Sequence, residues 1–423
     1  MKSYRNATCS TGGQISPSWG HQSEKISYVK KLAILGSTGS IGTSTLSICE
    51  SFPDRYQPIA LAAGQNLEAA VAQCLRWRPQ IISIGTEELA AKLQSKLKAA
   101  GITGIEVIHG TAGTVRVATL PEVDFVVSAI VGVAGLEATY AAVKAGKTIG
   151  LANKECLVAA GELIMAAAKE HNVALLPIDS EHNAVHQCMR GGTPAEVRQI
   201  WLTASGGPFR NTPLSDFEHI TPAQALKHPT WVMGQRITID SATMMNKGFE
   251  VIEACRLFSL PPAQVRVTIH PQSTVHSLVE FIDGSILAQI SVTDMRLPIL
   301  YALAYPERVD ATAAALHFDL AALSQLDFSV PDLARFPCLR LAYEAAATGG
   351  EACIALNAAD EIAVAAFLEG RIPFLGIPRT IDLVLQQTSA RHPSSIREVL
   401  EADLAARACA RDVIAHHFSG VLR

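Results

Sequence analysis

The chain has no cysteine pair spaced CxxC, no run of basic residues and no uninterrupted apolar stretch long enough to cross a bilayer. Its nine cysteines are scattered, which suits reduced thiols in a cytoplasmic protein better than a disulfide framework or a zinc site. A net charge of −4 and the missing basic patch exclude the electrostatic footprint of a nucleic-acid binder. Charged residues make up only 17% against 49% hydrophobic, so disorder is excluded too. The first 28 residues lack the apolar block of a signal peptide. Gly12-Gly13, Pro17 and Gly20 break any periodicity there, and the segment reads as a flexible extension. Its hydroxyl-rich, acid-poor character is also compatible with an organellar transit peptide.

What is present is enough for two to four domains in 423 residues. Lys30 to Leu35 is a short apolar strand running into Gly36-Ser37-Thr38-Gly39-Ser40-Ile41-Gly42, with a helix from Thr43 to Ser51 behind it. Strand, glycine turn and helix start in that order suit a dinucleotide: the pyrophosphate sits on free N–H groups at the helix N-terminus. Further alternation follows. Strands are expected at 58–63, 81–84, 124–130 and 147–151, and helices at 67–76, 87–100 and 136–145. This predicts an α/β fold with a doubly wound, Rossmann-like parallel sheet. The second strand ends in Ala63-Gly64-Gln65-Asn66, without the carboxylate that would bind a ribose 2′-hydroxyl, and so favours NADP over NAD.

Pro177-Ile178-Asp179-Ser180-Glu181-His182-Asn183 follows a buried strand. Two acids separated by one residue on an extended chain point to the same side and can share a hard cation such as Mg²⁺ or Mn²⁺. Equally, Asp179 or Glu181 can simply cap the next helix. Asn153-Lys154-Glu155 stands at another strand end and reads either as a ligand-facing turn or as a solvated helix start. Ala204 to Pro208 is an anion-binding type of turn, and the irregular Phe209–Gly234 reads as a lid carrying His228, Trp231 and Met233. The Asp240–Glu250 stretch is expected to be a helix capped by Ser241 and reaching Phe258. There Asn246, Lys247 and Glu250 share a face, as phosphate and metal ligands or as a solvated ion pair. Val265 to Ile290 reads as a hairpin turning at Asp283-Gly284, with His270 and His276 as packing residues. Beyond a linker at 309–331, residues 332–423 read as a helical bundle.

GSTGSIG at 36–42, LANKE at 151–155, PIDSEHNA at 177–184, TASGGPF at 203–209, KHPTWVMG at 227–234 and DSATMMNKGFE at 240–250 occur in one order. In this the chain closely resembles the 1-deoxy-D-xylulose 5-phosphate reductoisomerase family, from about Lys31 onward. The resemblance implies a homodimer with an NADPH-binding domain (29–178), an α+β catalytic domain with a flap (179–308) and a C-terminal helical bundle (332–423). It implies that Asp179, Glu181 and Glu250 hold Mg²⁺ or Mn²⁺, and that Ser205, Ser241, Asn246 and Lys247 grip the substrate phosphate with His228 nearby. Lys154, Glu155 and Ser180 would contact oxygens of the reacting carbons. Thr38, Gly39, Ser40, Ile41, Gly64, Gln65, Asn66, Asn153 and Gly234 would hold NADPH, and Trp231 and Met233 would lie in the flap. The implied reaction rearranges the substrate's carbon skeleton to a branched aldehyde phosphate, which NADPH reduces to 2-C-methyl-D-erythritol 4-phosphate. Nucleic acid and membrane are not expected partners.

Two other readings compete. A different NADP-dependent dehydrogenase with a structural metal leaves Asn246, Lys247 and Glu250 without a shared purpose, and a cofactor-sensing regulator has no need of three acids. One departure touches the cofactor: Gln65 stands where many family members have lysine. NADPH is still the expected donor. Comparison of kcat/KM for NADPH and NADH checks this, and a ratio favouring NADH would overturn it.

Overall fold

The computed structural model describes residues 28–231 and 233–418. The extension at 1–28 lies outside the described residues except for Tyr28. The chain begins with β1 (Lys30–Leu35), α1 (Ser40–Ser51), β2 (Tyr56–Ala62), α2 (Leu67–Trp77), β3 (Ile81–Ile84) and α3 (Glu87–Ala99). Next come β4 (Glu106–His109), α4 (Gly110–Ala118), β5 (Phe125–Ser128), α5 (Leu136–Lys144), β6 (Thr148–Leu151), α6 (Lys154–Glu170) and β7 (Leu175–Pro177). The strands form one parallel sheet in the order β4-β3-β2-β1-β5-β6-β7. Both faces are covered, so its strands are nearly continuous apolar runs, as a two-sided parallel sheet requires. β4 and α4 escaped the sequence reading because β4 is a four-residue edge strand, half exposed and without an apolar run.

The strand order reverses between β1 and β5, and the crevice beyond their carboxyl ends is where ligands of such sheets bind. Gly36 shapes this crevice. Its φ is +85°, and a Cβ added there would stand 2.6 Å from the Ala129 carbonyl oxygen at the end of β5.

Beyond β7 lie α7 (Ser180–Met189), β8 (Val197–Ala204), α8 (Pro222–Ala225), α9 (Gln235–Thr243) and α10 (Met245–Phe258). They are followed by β9 (Val265–Ile269), β10 (Val275–Phe281), β11 (Ile286–Ile290) and α11 (Arg296–Ala304). The second sheet runs β11-β10-β8-β9. The expected hairpin at 265–290 holds for β10 and β11, which are antiparallel. β9 departs from it and pairs in parallel with β8, which slots between β9 and β10. The expected single helix from Ser241 to Phe258 is two helices. Met244 takes a left-handed φ of +63° and separates α9 from α10, so Ser241 lies in the last turn of α9 and caps nothing.

Residues 309–331 run mostly exposed, tacked down by buried Ala314 and Leu316 and by a bridge between Ile269 and Ser329. Then α12 (Pro337–Thr348), α13 (Glu351–Leu368), α14 (Gly376–Leu385) and α15 (Ile396–Phe418) pack together. They share one apolar core with α10 and the second sheet. Part of the expected lid belongs to this core. Phe209 and Phe217 pack on Phe374 at ring separations of 5.3 and 5.9 Å.

Replacing Gly36 by alanine forces a side chain into a left-handed turn and against Ala129. We expect a loss of about 1–3 kcal/mol of stability, read as a lower melting temperature; an unchanged melt would contradict this account of the turn.

Candidate active site

A cavity of about 510 Å³ opens at the β1/β5 crevice and extends to α7, α9 and α10. Gly39, Ser40 and Ile41, where α1 begins, line one end with the free N–H groups of a helix N-terminus. Ala129, Ile130 and Val131 from the loop after β5 face them. That loop is held by Asn153. Its side-chain amide donates to the carbonyls of Ile130 and Gly132, while its carbonyl oxygen caps α6 by accepting from Cys156 N. Thus Asn153, expected to touch cofactor, is fully occupied in shaping the wall. Thr38, Gly64, Gln65 and Asn66 do not line the cavity. The last three lie exposed at the carboxyl end of β2, next to β1, where Asn66 caps α2 by accepting from Ala69 N.

At the other end three carboxylates converge. Oxygens of Asp179, Glu181 and Glu250 lie within 4.8 Å of one another. The geometry behind this differs from the extended-chain expectation. Asp179 is the N-cap of α7, accepting from Glu181 N, and Glu181 stands in the first helical turn. The capping reading is therefore right about conformation, and the acids are nonetheless gathered, because α10 brings Glu250 to them. The solvated-pair reading of α10 fails, since Lys247 and Glu250 are both buried.

Two ammonium groups offset this buried charge. Lys154 Nζ reaches Asp179 Oδ2 at 2.5 Å, Asn246 Oδ1 at 2.9 Å and Glu250 Oε1 at 3.1 Å, using all three of its donors. Lys247 Nζ contacts Glu250 and lies 3.2 Å from Glu181 Oε1. Burial opposes the charge on Lys154, but Asp179 and Glu250 hold it ionised well above the ordinary lysine range. Burial would raise the Asp179 carboxyl, but Lys154 and then His182 pull it well below its ordinary value. Glu181 goes the other way, pushed up to about 7 by burial, with Lys247 opposing and Glu250 and Asp179 adding to the rise.

His182, for which the sequence offered no role, backs this cluster. Its Nε2 is 2.8 Å from the Glu250 carbonyl oxygen, and its Nδ1 is 3.3 Å from both Asp179 and Glu253. Asp179, His182 and Glu253 also lie close enough to suggest a metal group, but His182 and Glu253 do not line the cavity. An ion-paired foundation under Asp179 describes them better.

Beside the carboxylates lies a constellation suited to a phosphate. Ser205, Ser241, Asn246 and Lys247 all line the cavity. The break at Met244 places Asn246 and Lys247 in the first turn of α10, whose N-terminus favours an anion. Gly207 (φ +67°) permits the approach of the β8 turn to α9, as a Cβ there would stand 2.7 Å from the Ser241 carbonyl oxygen. His228 Nδ1 accepts from Thr230 N and Trp231 N, so its proton is on Nε2, which donates to Ser205 Oγ at 3.1 Å. Ser180 Oγ donates to Glu181 at 2.6 Å. Glu155, Trp231, Met233 and Gly234 complete the wall.

Sequence reasoning missed Arg236, Ser273 and Met295, which also line the cavity. It also took His276 as packing only, whereas this residue reaches the cavity wall, with burial lowering it to about 4. His270 is structural as expected, stacked on Phe328 at 4.8 Å. None of the missed residues belongs to a motif whose spacing suggests a ligand.

The donor set is all oxygen and carries three acids, as hard divalent cations require. Glu181→Gln removes one of these charges at the most accessible of the three. We expect Mn²⁺ affinity to drop roughly tenfold or more in a calorimetric titration, with NADPH binding retained. Unchanged Mn²⁺ affinity would remove Glu181 from the metal group.

The family model of 1-deoxy-D-xylulose 5-phosphate reductoisomerase matches residues 32–161, and models of C-terminal domains of that enzyme match residues 175–258 and 290–409. The chain is 52% identical to the reductoisomerase of Solibacter usitatus over 388 residues, covering 91% of this chain and 97% of that protein. It is 52% identical over 391 residues to that of Methylococcus capsulatus, with 91% and 99% covered. Among solved structures, the Zymomonas mobilis reductoisomerase in complex with NADPH superposes with a TM-score of 0.86 at 43% identity, over 92% of this chain and 100% of that one. A reductoisomerase in complex with NADPH, fosmidomycin and magnesium gives the same TM-score and identity, over 91% and 98%. With 1-deoxy-D-xylulose 5-phosphate reductoisomerase models covering most of its length and relatives half identical over nine-tenths of it, the chain belongs to the 1-deoxy-D-xylulose 5-phosphate reductoisomerase family.

Proposed function

We propose that this chain converts 1-deoxy-D-xylulose 5-phosphate to 2-C-methyl-D-erythritol 4-phosphate, using NADPH and Mg²⁺ or Mn²⁺. The observation that carries the reading is one cavity joining three converging carboxylates, a phosphate-type constellation and the dinucleotide crevice of the first sheet. A dehydrogenase with a merely structural metal has no use for acids that open onto the cofactor crevice. A sensor has none for a phosphate grip beside them.

Asp179, Glu181 and Glu250 would hold the cation. Bound there, it supplies Lewis acidity to the substrate's carbonyl and hydroxyl oxygens. Lys154, kept charged by Asp179 and Glu250, presents a fixed positive group to oxygens on which negative charge develops. Ser180 and Glu155 border the same region. Ser205, oriented by the Nε2–H of His228, joins Ser241, Asn246 and Lys247 around the phosphate. For Lys247 this means exchanging a carboxylate partner for a phosphate oxygen. The pyrophosphate belongs at Thr38, Gly39, Ser40 and Ile41. The ribose belongs at Gly64, Gln65 and Asn66, and the nicotinamide between the Asn153-braced loop and Gly234. Trp231 and Met233 would cover the bound substrate and keep water out.

The division of labour follows the order of the chain: residues 29–178 for the dinucleotide, 179–308 for metal and substrate, and 332–423 as helical support. We also propose a homodimer in the cytoplasm. β11 is an edge strand with Ile286 and Leu287 exposed beside Ile282, and pairing with a second copy would cover them. Sedimentation velocity reads this directly. The eight described cysteines are all free, and no helix among the described residues is long and apolar enough to cross a membrane.

The test is loss of NADPH absorbance with 1-deoxy-D-xylulose 5-phosphate, with and without Mn²⁺. Oxidation should require both substrate and metal, stop on chelation, and fall by about 100-fold or more in Asp179→Asn. A folded, NADPH-binding protein that oxidises nothing with either metal would overturn the assignment.

A further inference from the structure

Arg236 stands in the first turn of α9, two residues beyond the end of the flap, with its side chain at the cavity wall. Its guanidinium meets two other parts of the fold, α6 and α13. Nη1 donates to Glu155 Oε1 at the start of α6, at 3.2 Å, and to Glu361 Oε2 on α13, at 3.3 Å. Nη2 donates to Asn357 Oδ1 at 2.9 Å and to Asp360 Oδ2 at 3.4 Å, both on α13. Nε faces Asp240 Oδ2 at 3.6 Å, one turn along α9. The linkage then continues outward, because Glu361 Oε2 also accepts from Arg407 Nη2 on α15 at 2.8 Å, and Arg407 Nε holds Asp403 at 2.6 Å. A single line of ion pairs, Arg407 to Glu361 to Arg236 to Glu155, thus runs from the outermost helix to the cavity.

A planar fork of five donors can serve several carboxylates at once, whereas a lysine offers only one point of charge. Four acids converge on this guanidinium: Glu155, Asp240, Asp360 and Glu361. Without it they would repel one another in a largely buried place, and Glu155 would lose the hydrogen-bond partner that holds it at the wall. The loop after β5 meets the same cluster. A Cβ on Gly132 would stand 3.4 Å from Glu361 Oε2 and 3.8 Å from Arg236 Nη1. The flap exit, the cofactor-side loop and Glu155 therefore share one anchor, and that anchor is set by α13 and α15.

We propose that Arg236 is a positioning residue through which the C-terminal helices hold Glu155 and the exit of the flap in place for turnover. The assay rests on the reductoisomerase reading, so wild-type turnover is measured first, and failure of that reading would show there and not in the variants. Glu361→Gln and Arg407→Met change residues that do not line the cavity. Each should lower kcat roughly 2- to 30-fold while leaving the NADPH dissociation constant within about twofold. Arg236→Lys keeps the charge but not the fork and should lower kcat further. In Arg236→Ala, millimolar guanidinium ion should restore part of kcat, a response that a merely structural role would not give. Unchanged kcat in both Glu361→Gln and Arg407→Met would overturn the proposal. So would a folded, NADPH-binding Arg236→Ala that guanidinium leaves inactive. If Arg236→Ala does not fold, the two outer variants decide.

Discussion

Three buried carboxylates cannot share a few ångströms of low-dielectric space unless something positive is put among them. Here that is done by Lys154 from α6 and Lys247 from α10, facing Asp179 and Glu181 on α7 and Glu250 on α10. The arrangement ties the end of the first sheet to the helices of the second unit at one point. It also explains the opposite behaviour of two acids two residues apart. Asp179 sits against Lys154 and a charged His182 and is held ionised, while Glu181, farther from both, is pushed toward neutrality. The same packing brings oxygens of all three acids within 4.8 Å of one another, close enough for one cation to bridge them.

Around that cluster, the backbone makes the space. Gly36 lets the first turn lie against the end of β5, and Gly207 lets the β8 turn lie against α9. Met244, in a conformation that non-glycine residues seldom adopt, splits what would have been one helix. The split gives a second helix start at Asn246 and Lys247. Strain at such a point is tolerable because Met244 and its neighbours are packed into the larger core. The same core includes α12 to α15, so the helical region serves as more than a lid support. Through Glu361 and Arg236 it reaches the cavity wall.

Much of this was legible in the chain. The glycine turn with its strand and helix, the alternation that makes a parallel sheet, and the acids and amide of the later motifs can all be read as local patterns, since each depends on neighbours a few residues apart. Element types came through where runs were long. The short edge strand β4 did not, nor did the intrusion of β8 between β9 and β10, because strand order within a sheet leaves no trace in local periodicity. The Asp179–Glu181 spacing pointed to converging acids from a conformation the chain does not take: the residues are a helix cap and first turn, not an extended pair.

The sequence by itself determined the classes of element, the acidic net charge of the protein, and which residues are candidates for metal, phosphate and dinucleotide chemistry. Tertiary structure alone decided which of them meet. Glu250 joins Asp179 only because α10 packs on α6, whose Lys154 bridges the two acids. Lys247 is buried only because α10 packs between the second sheet and α12. His276 and Arg236 reach the cavity from places where no motif stands. Contacts of this kind join residues 81 to 125 positions apart, and their strength comes from burial and low dielectric. Both are properties of the folded surroundings and not of any stretch of chain.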